Sequence, residues 1–377
     1  MKLCIIQAVL PLYAIAFFNR IVELYPDIDL VVLADLKTSQ PLNQYRQEIC
    51  VFRALHLDNI EHFGVVFRPG ILGVLRSLQP DIVIFSGSTR DLSQLWVMFL
   101  FRLSGIAFGA WGMFHRVGGP RFVSKLYYRF VGMLATCCLT YTRTGATNLV
   151  NIGVSKHKIV VVGTAIDERI PFAEARALTP EALATFKLDK GVNGKHIILQ
   201  VVRLSRIKRP ELLILAASEL LIKRKDFVFI LVGDGEMREE LEQMIAERNL
   251  QDNFRLLGAI YDESVLSYWY MCAEAFVVPT FIGLSAHHAM SYGVPVVTDD
   301  SLDSQGSEFD ILAEGLNSLT YREGDTHDLA LVLERIISDK ALQASLSSNA
   351  RRTVELIHNL NNKTHRFVNH VLELNHS

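Results

Sequence analysis

Short apolar runs alternate with helical segments along this chain, and the alternation constrains the fold more than any other feature. Neighbouring parallel strands need a crossover connection, which is usually a helix. The pattern therefore predicts an α/β protein with doubly wound parallel sheets. In the first half we predict strands at Leu3–Gln7, Leu30–Ala34, Ile82–Ser86, Ile106–Ala110, Leu139–Thr142 and Ile159–Val162. The helices between them are predicted near Tyr13–Leu24, Ile71–Leu78, Leu92–Leu103, Phe122–Ala135 and Gly145–Ile152.

A second αβ series follows after residue 195. Its predicted strands are His196–Val202, Phe227–Val232, Phe254–Leu257, Phe276–Val278 and Val296–Thr298. A chain of 377 residues exceeds the size at which single hydrophobic cores stop growing, so two domains are expected. We place the first domain over residues 1–166, a linker over 167–194, the second domain over 195–340 and C-terminal helices over 341–377.

The stretch Phe276–Asp299 reads as strand, tight loop, helix and strand. Gly283 lets the backbone turn closely before a helix predicted over Ser285–Tyr292. The turn would leave the N–H groups of Leu284, Ser285 and Ala286 at the helix start, where phosphate is a common ligand. An ordinary βαβ unit with a serine N-cap has the same spacing, so spacing alone does not decide between the two interpretations.

The residues from Pro279 to Val297 carry a family resemblance. They read Pro-Thr-Phe-Ile-Gly-Leu-Ser-Ala-His-His-Ala-Met-Ser-Tyr-Gly-Val-Pro-Val-Val. This run resembles the donor-binding signature of family 4 glycosyltransferases, which are retaining enzymes with the GT-B fold. The resemblance implies two Rossmann-like domains facing a cleft, with residues 1–166 on the acceptor side and 195–340 binding a nucleotide-sugar donor. It also implies that the C-terminal helices pack back on the first domain.

The resemblance assigns donor contacts within this stretch. In the family, the backbone of the segment matched by Gly283, Leu284 and Ser285 holds the donor diphosphate. In most family members one glutamate binds the ribose hydroxyls, and a second glutamate, eight residues earlier, contacts the transferred sugar. In this chain His288 occupies the position of the ribose-binding glutamate. The loop before it is shorter than in the family, so no acidic residue occupies the position of the sugar-binding glutamate. We therefore predict that His288 contacts the ribose through a ring nitrogen, whereas His287 points about 100° away on the helix.

Arg203 and Lys208 follow the first strand of the second series, at the strand end where open α/β sheets bind ligands. Their charges can neutralise a diphosphate through charge-assisted hydrogen bonds. A solvated basic loop would show the same residue types. Arg203 and Lys208 also match the family's Arg-Leu-x-x-x-Lys pattern. The resemblance thus implies that they are catalytic residues, stabilising the charge of the leaving diphosphate without a metal.

Two further segments match the order of the family's donor site. Gly233 and Gly235 lie in a strand-to-helix turn that can bring backbone close to a ligand, which is a weak signal by itself. The family reads the nucleotide base through the backbone near Leu257. We therefore predict donor contacts at Gly233, Gly235 and Leu257.

His115 follows a predicted strand of the first domain. Family members commonly place a histidine near this strand end, facing the transferred sugar, which implies a catalytic role for His115. A purely structural histidine is equally compatible with the sequence.

Charge is distributed unevenly along the chain. Residues 1–165 hold 16 Lys and Arg against 9 Asp and Glu, although the whole chain has a net charge of −2. No acidic residue occurs from Leu92 to Ile166. Within that range, Arg121, Lys125 and Arg129 recur every four residues beside apolar side chains, as in helices at membrane interfaces. We predict an anionic membrane or acceptor surface here; a solvated basic helix face is the alternative.

Several functional classes are disfavoured. The first βα turn lacks the Gly-x-Gly-x-x-Gly pattern of dinucleotide-binding oxidoreductases, and no nucleic-acid-reading motif occurs. No Asp-x-Asp motif occurs in the predicted donor-binding domain, so we expect neither cofactor nor metal. The start does not resemble a signal peptide, and no membrane span is predicted. We expect a cytoplasmic protein that can dock on the inner face of the membrane.

The resemblance implies a glycosyltransferase that moves a sugar, with retention, from a nucleotide-diphosphate sugar to a saccharide acceptor. From the same resemblance we expect the acceptors to be lipid-linked precursors of bacterial surface polysaccharides, such as O-antigen or capsule. Two alternatives remain open. A GT-B nucleotide-sugar epimerase would use the same donor grip without an acceptor, and a non-catalytic nucleotide-sugar-binding protein would explain the missing glutamates.

Overall fold

The computed structural model of the chain describes residues 1–37, 47–63, 65–87, 91–115 and 122–374. These residues form two compact units. Unit 1 comprises Met1–Asp167 together with the chain from Leu360 onward, and unit 2 comprises Glu168–Asn359. Each unit has its own parallel sheet with helices packed around it, as the alternation of apolar runs and helical segments predicts.

The sheet of unit 1 has the strand order β3-β2-β1-β6-β7-β8-β9 among the described residues, with every pairing parallel. A separate antiparallel hairpin pairs β4 with β5. The strands are β1 (Lys2–Val9), β2 (Asp29–Asp35), β3 (Arg53–His56), β4 (Ile60–His62), β5 (Val65–Phe67), β6 (Ile82–Ser86), β7 (Phe108–Gly112), β8 (Cys137–Thr140) and β9 (Ile159–Val161).

Helices cover the two faces of this sheet. They are α1 (Leu12–Leu24), α2 (Ile71–Leu78), α3 (Leu92–Leu103), α4 (Phe122–Leu134) and α5 (Arg143–Asn151), together with the C-terminal helix α14 (Leu360–Leu374). Residues of α1 and α14 share one hydrophobic core with alternate residues of β1 and β2. Residues of α3 and α4 share the core on the other face. The strands are therefore buried on both sides, which explains their nearly continuous apolar sequences.

The sheet of unit 2 has the order β12-β11-β10-β13-β14-β15 among the described residues, again with parallel pairings. Its strands are β10 (His196–Val201), β11 (Phe227–Val232), β12 (Phe254–Gly258), β13 (Ala275–Val277), β14 (Val296–Asp299) and β15 (Ser318–Tyr321). The helices of this unit are α6 (Arg169–Ala177), α7 (Pro180–Asp189), α8 (Glu211–Lys223), α9 (Arg238–Glu247), α10 (Glu263–Cys272), α11 (Ser285–Ser291), α12 (Thr326–Ser338) and α13 (Lys340–Leu356).

The structure differs from the sequence predictions at several segments. Short strands β3, β4, β5 and β15 have no counterpart among the predicted strands. Residues 167–194, which we predicted to be a linker, form α6 and α7, and both helices pack against α10 of unit 2. Of the C-terminal helices, α13 belongs to unit 2, and only α14 packs on unit 1. Apolar side chains such as Phe172 and Phe186 explain the docking of α6 and α7, because they join the core of unit 2.

No helix in the described part of the chain combines the length and the apolar composition that crossing a bilayer requires. The apolar stretch from Leu95 to Phe114 forms instead the end of α3 and the buried strand β7.

Candidate donor site in unit 2

The order of the strands in unit 2 contains a switch point between β10 and β13. We call the region beside the carboxyl ends of these two strands the crevice. β10 and β13 are neighbours in the sheet, and the connections from them run in opposite directions, toward β11 on one side and β14 on the other. Open α/β sheets bind ligands at such a switch point, beside the carboxyl ends of the strands. The loop after β10 carries Arg203 and Lys208, and the loop after β13 carries Gly283, so the predicted diphosphate site lies at the switch point.

Lys208 connects the two loops of this crevice. Its Nζ donates to the carbonyl of Phe281 and lies 4.7 Å from the centre of the Phe281 ring. A β-carbon at position 283 would lie 3.4 Å from the same Nζ. Burial lowers the pKa of Lys208 to about 8, although the nearby Glu308 carboxylate acts in the opposite direction. The crevice thus holds an ammonium group beside the predicted phosphate-binding backbone.

Gly233 and Gly235 allow the loops after β10 and β11 to pack closely. A β-carbon at position 233 would overlap the Val202 carbonyl, and one at position 235 would overlap the Leu204 carbonyl. Gly233 also has a φ of 141°, which side-chain-bearing residues rarely adopt. The N–H of Leu204 donates to Asp234 O at 3.0 Å, which fixes the contact between the loops. These glycines therefore shape the Arg203–Lys208 loop, and their predicted contact with a donor stays a prediction.

Arg203 and Arg206 differ in their surroundings although they share a loop. The Arg206 guanidinium pairs with Glu240 at 3.0 Å, and its backbone N–H donates to Glu236 Oε1 at 3.2 Å. The Arg206 backbone hydrogen bond lowers the pKa of Glu236, and the charge of Arg203 contributes to the same shift. Arg203 is exposed at the carboxyl end of β10. Arg203 therefore lies on the loop that also carries Lys208.

Helix α11 carries the residues that resemble the donor-binding signature, and it begins at Ser285. Leu284 is the N-cap of α11 and Ser285 is its first residue, as predicted, so the alternative interpretation with a serine N-cap does not apply. The prediction that the Ala286 N–H is free for a ligand is wrong, because that group donates to Gly283 O at 2.9 Å. Gly283, Leu284 and Ser285 remain at the crevice as candidate donor contacts.

Gln305 holds the loop before this helix and was missed by sequence reasoning. Its Oε1 accepts from the N–H of Ile282 at 2.8 Å, while its Nε2 donates to Thr298 Oγ1 at 2.9 Å and to Asp299 Oδ1 at 2.8 Å. Gln305 is fully enclosed. No local pattern marks it in the sequence, because its partners are six, seven and 23 residues away.

His288 lies in a cluster that the sequence did not predict. Its Nε2 lies 2.6 Å from Glu263 Oε1, at the first turn of α10, and the Tyr292 hydroxyl donates to the same oxygen at 2.5 Å. The His288 side chain is 21% exposed, whereas His287 is completely buried. The two histidines therefore do face different surroundings. The predicted contact of His288 with a ribose stays a prediction.

Glu263 provides a carboxylate that contacts His288. Burial by itself raises the pKa of Glu263, but the hydrogen bonds from His288 and Tyr292 lower it below its usual value. The carboxylate is therefore ionised and accepts the Nε2–H of His288. This orientation leaves Nδ1 as the ring nitrogen on the other side of the imidazole. The available sequence signal was an acid at the start of the helix that follows β12.

Leu257 lies in β12 beside the carboxyl end of the strand and is about one-third exposed. The carbonyl of the next residue, Gly258, accepts from the N–H of Gly233 at 2.8 Å. Leu257, which the resemblance places near the nucleotide base, thus lies next to the turn at Gly233 that follows β11.

The remaining predicted residues lie in unit 1. His115 follows β7, where its Nδ1 lies 3.2 Å from Met113 O and 3.5 Å from Thr142 Oγ1. Lys125 and Arg129 are exposed on α4. Arg121 lies outside the described residues. These positions neither establish nor contradict the roles predicted for these residues.

Within the described ranges, no three His, Cys, Asp or Glu side chains gather as metal ligands would. Independence from a metal stays a prediction about the reaction.

A protein-family model matches most of unit 2. Residues 186–353 match the family model described as "Glycosyl transferases group 1". This segment includes the whole crevice. Among curated proteins, the 2-deoxystreptamine N-acetyl-D-glucosaminyltransferase of Niallia circulans is 30% identical over 171 residues, which cover 45% of this chain and 43% of that protein. The chain therefore aligns with less than half the length of this relative.

Solved structures resemble the chain over nearly its full length. The Anabaena protein HepE, in complex with UDP, has a TM-score of 0.78 at 17% identity and covers 99% of both chains. Sucrose-phosphate synthase from Thermosynechococcus elongatus has a TM-score of 0.71 at 18% identity, also covering 99% of both chains. At such identities the likeness establishes the fold alone. The chain has the GT-B fold, with two Rossmann-like α/β units.

Proposed function

We propose that this protein is a glycosyltransferase that uses a nucleotide-diphosphate sugar as donor. The observation that carries the proposal is the contact of Lys208 with the Phe281–Gly283 loop at the switch point of unit 2. This contact places a cation beside backbone that can bind phosphate. The match to group 1 glycosyl transferases over the same residues supports the assignment.

The arrangement favours a leaving nucleoside diphosphate over a small uncharged ligand. Cleavage of the sugar–phosphate bond leaves negative charge on the diphosphate, and fixed cations stabilise that charge most where water is excluded. Lys208 is partly buried, and Arg203 lies on the same loop, just after β10. We assign charge stabilisation to these two residues. Because both are provided by the chain, the proposal requires no metal.

Unit 1 is proposed to supply the acceptor side. His115 lies at the carboxyl end of β7, with Nδ1 oriented toward the Met113 carbonyl. We propose transfer to a hydroxyl of a saccharide acceptor, with retention of anomeric configuration and with family 4 as the specific family. A lipid-linked polysaccharide precursor is the proposed acceptor, because the resemblance implies such acceptors and unit 1 presents the surface discussed below.

The deciding experiment incubates the full chain with UDP-, GDP- and ADP-sugars, each with and without a panel of lipid-linked saccharides. We expect sugar transfer with one donor only when an acceptor is present. The anomeric configuration of the product, determined by NMR, tests retention.

Two outcomes would replace the proposal. A changed sugar configuration in the free nucleotide sugar, formed without acceptor, would identify an epimerase. Nucleotide binding without turnover for any donor and acceptor would identify a binding protein. The Lys208→Ala variant serves as the matched control, since turnover there at the rate of the unaltered chain would reveal a contaminating activity.

A further inference from the structure

Helix α4 exposes apolar side chains on the face that points away from its core. Its buried residues include Tyr127, Tyr128 and Val131, which pack inside unit 1. The opposite face exposes Phe122, Val123, Leu126, Phe130 and Met133. Phe122 is 81% exposed and Val123 75%. The helix is therefore apolar on both faces, and folding of the chain uses only one of them.

Helix α3 contacts α4 and continues this surface. Leu92, Trp96, Phe99 and Leu103 are exposed at spacings of four, three and four residues, which places them on one stripe. The Trp96 and Phe99 rings stack with their centres 6.1 Å apart. A cavity of about 450 Å³ adjoins the stripe, and its lining includes Leu92 and Trp96. Contiguous apolar exposure on this scale marks an interaction surface.

The charge of this region indicates the kind of partner. Arg102 on α3 and Lys125 and Arg129 on α4 are exposed among the apolar side chains. No Asp or Glu occurs between Leu92 and Ile166, so no acidic residue of that range offsets these cations. Apolar and aromatic side chains mixed with Lys and Arg are the composition of helices that lie in the headgroup region of a bilayer.

We propose that the exposed faces of α3 and α4 dock on an anionic lipid bilayer. The apolar side chains enter the boundary of the acyl chains, and Arg102, Lys125 and Arg129 contact the phosphate headgroups. The inference does not depend on the proposed catalytic activity, because docking needs neither donor nor acceptor. It adds α3 and its aromatic stripe to the basic stripe that the sequence indicated on α4.

Trp96 provides a direct probe of docking. It is 60% exposed, whereas the other two tryptophans, Trp111 and Trp269, are 5% and 4% exposed. We expect vesicles of phosphatidylcholine with phosphatidylglycerol to shift the emission of the full chain to shorter wavelength. We expect brominated lipids to quench it. The Trp96→Phe variant should still bind the vesicles in a sedimentation assay but show neither spectral change.

Two sets of substitutions separate the apolar and the charged contributions. Lys125→Gln with Arg129→Gln should lower partitioning onto anionic vesicles by roughly 25-fold, since each basic residue near such a surface contributes about fivefold. Phe122→Ser with Leu126→Ser should lower it by at least about tenfold. Ile222→Ser is the matched control, because Ile222 is an exposed apolar residue on α8 of unit 2. It should bind vesicles like the unaltered chain.

Unchanged vesicle binding in both double variants would overturn the proposal, as would an unshifted Trp96 emission on vesicles that sediment the protein. Self-association in the absence of lipid that the Phe122→Ser/Leu126→Ser variant abolishes would also overturn it. In that case a second copy of the chain covers this face. Thermal unfolding of each variant verifies that these exposed substitutions leave the fold intact.

Discussion

The Nε2 atom of His288 lies 2.6 Å from the Oε1 atom of Glu263, although the two residues belong to different helices. The Tyr292 hydroxyl donates to the same oxygen. The carboxylate thereby fixes the orientation of the imidazole in α11. A histidine held in this way can present its second ring nitrogen to a ligand in a defined direction.

The first prediction concerns His288 and its neighbour. His288→Ala should weaken binding of a nucleoside diphosphate by about 1–3 kcal/mol if a desolvated hydroxyl partner is lost. His287→Ala should instead lower the unfolding temperature and leave affinity nearly unchanged, because His287 is completely buried. Calorimetric titration and thermal scans of both variants make the distinction. Equal affinities would show that His288 is a structural residue.

The second prediction concerns Glu263, which we regard as a positioning residue. Glu263→Gln preserves the size of the side chain but removes the charge that His288 and Tyr292 share. Donor affinity should fall less than in His288→Ala. A Glu263→Gln/His288→Ala double variant should lose no more affinity than His288→Ala alone. Additive losses would argue that Glu263 acts independently of His288.

The third prediction concerns charge at the crevice. Arg203→Ala and Lys208→Ala should each cost about 2–4 kcal/mol of transition-state stabilisation, as removal of a charge-stabilising donor does. Arg206→Ala is the control on the same loop, because Arg206 is paired with Glu240. It should retain a nearly unaltered kcat/KM. Comparable losses in all three variants would indicate disruption of the loop as a whole.

The fourth prediction follows from the pKa of about 8 for Lys208. The charged form is the one that binds a diphosphate, so kcat/KM for the donor should decrease as pH rises through about 8. A bound diphosphate favours the charged form, so the corresponding decrease in kcat should occur at higher pH. Lys208→Ala should lack this alkaline limb. An identical limb in that variant would assign the titration to another group.

The fifth prediction concerns the metal. Because Arg203 and Lys208 provide the positive charge, transfer should continue in the presence of excess EDTA. Full inactivation by EDTA, reversed by a divalent cation, would contradict the assignment of charge stabilisation to these side chains.

The sequence by itself determined the succession of strands and helices. Parallel strands buried on both faces leave continuous apolar runs, and the crossover helices leave a helical period, so both are readable locally. The bounds of β6, β11, α2 and α3 coincide with those predicted. The short strands β3 and β15 were not predicted, because a few residues at a sheet edge carry little periodic signal. The apolar positions of α6 and α7 did not distinguish a linker from helices that pack on α10.

Only the tertiary structure decided which groups meet at the crevice. Lys208 reaches Phe281 across 73 residues, and Glu263 reaches His288 across 25, because the sheet brings the carboxyl ends of its strands together. The sequence likewise did not determine which face of α4 is buried. Both of its faces are apolar, so helical period alone could not tell which face packs inside unit 1 and which stays exposed. Packing against α3 and the sheet selects the face of Tyr127 and Val131, and this selection leaves Phe122 and Leu126 on the surface.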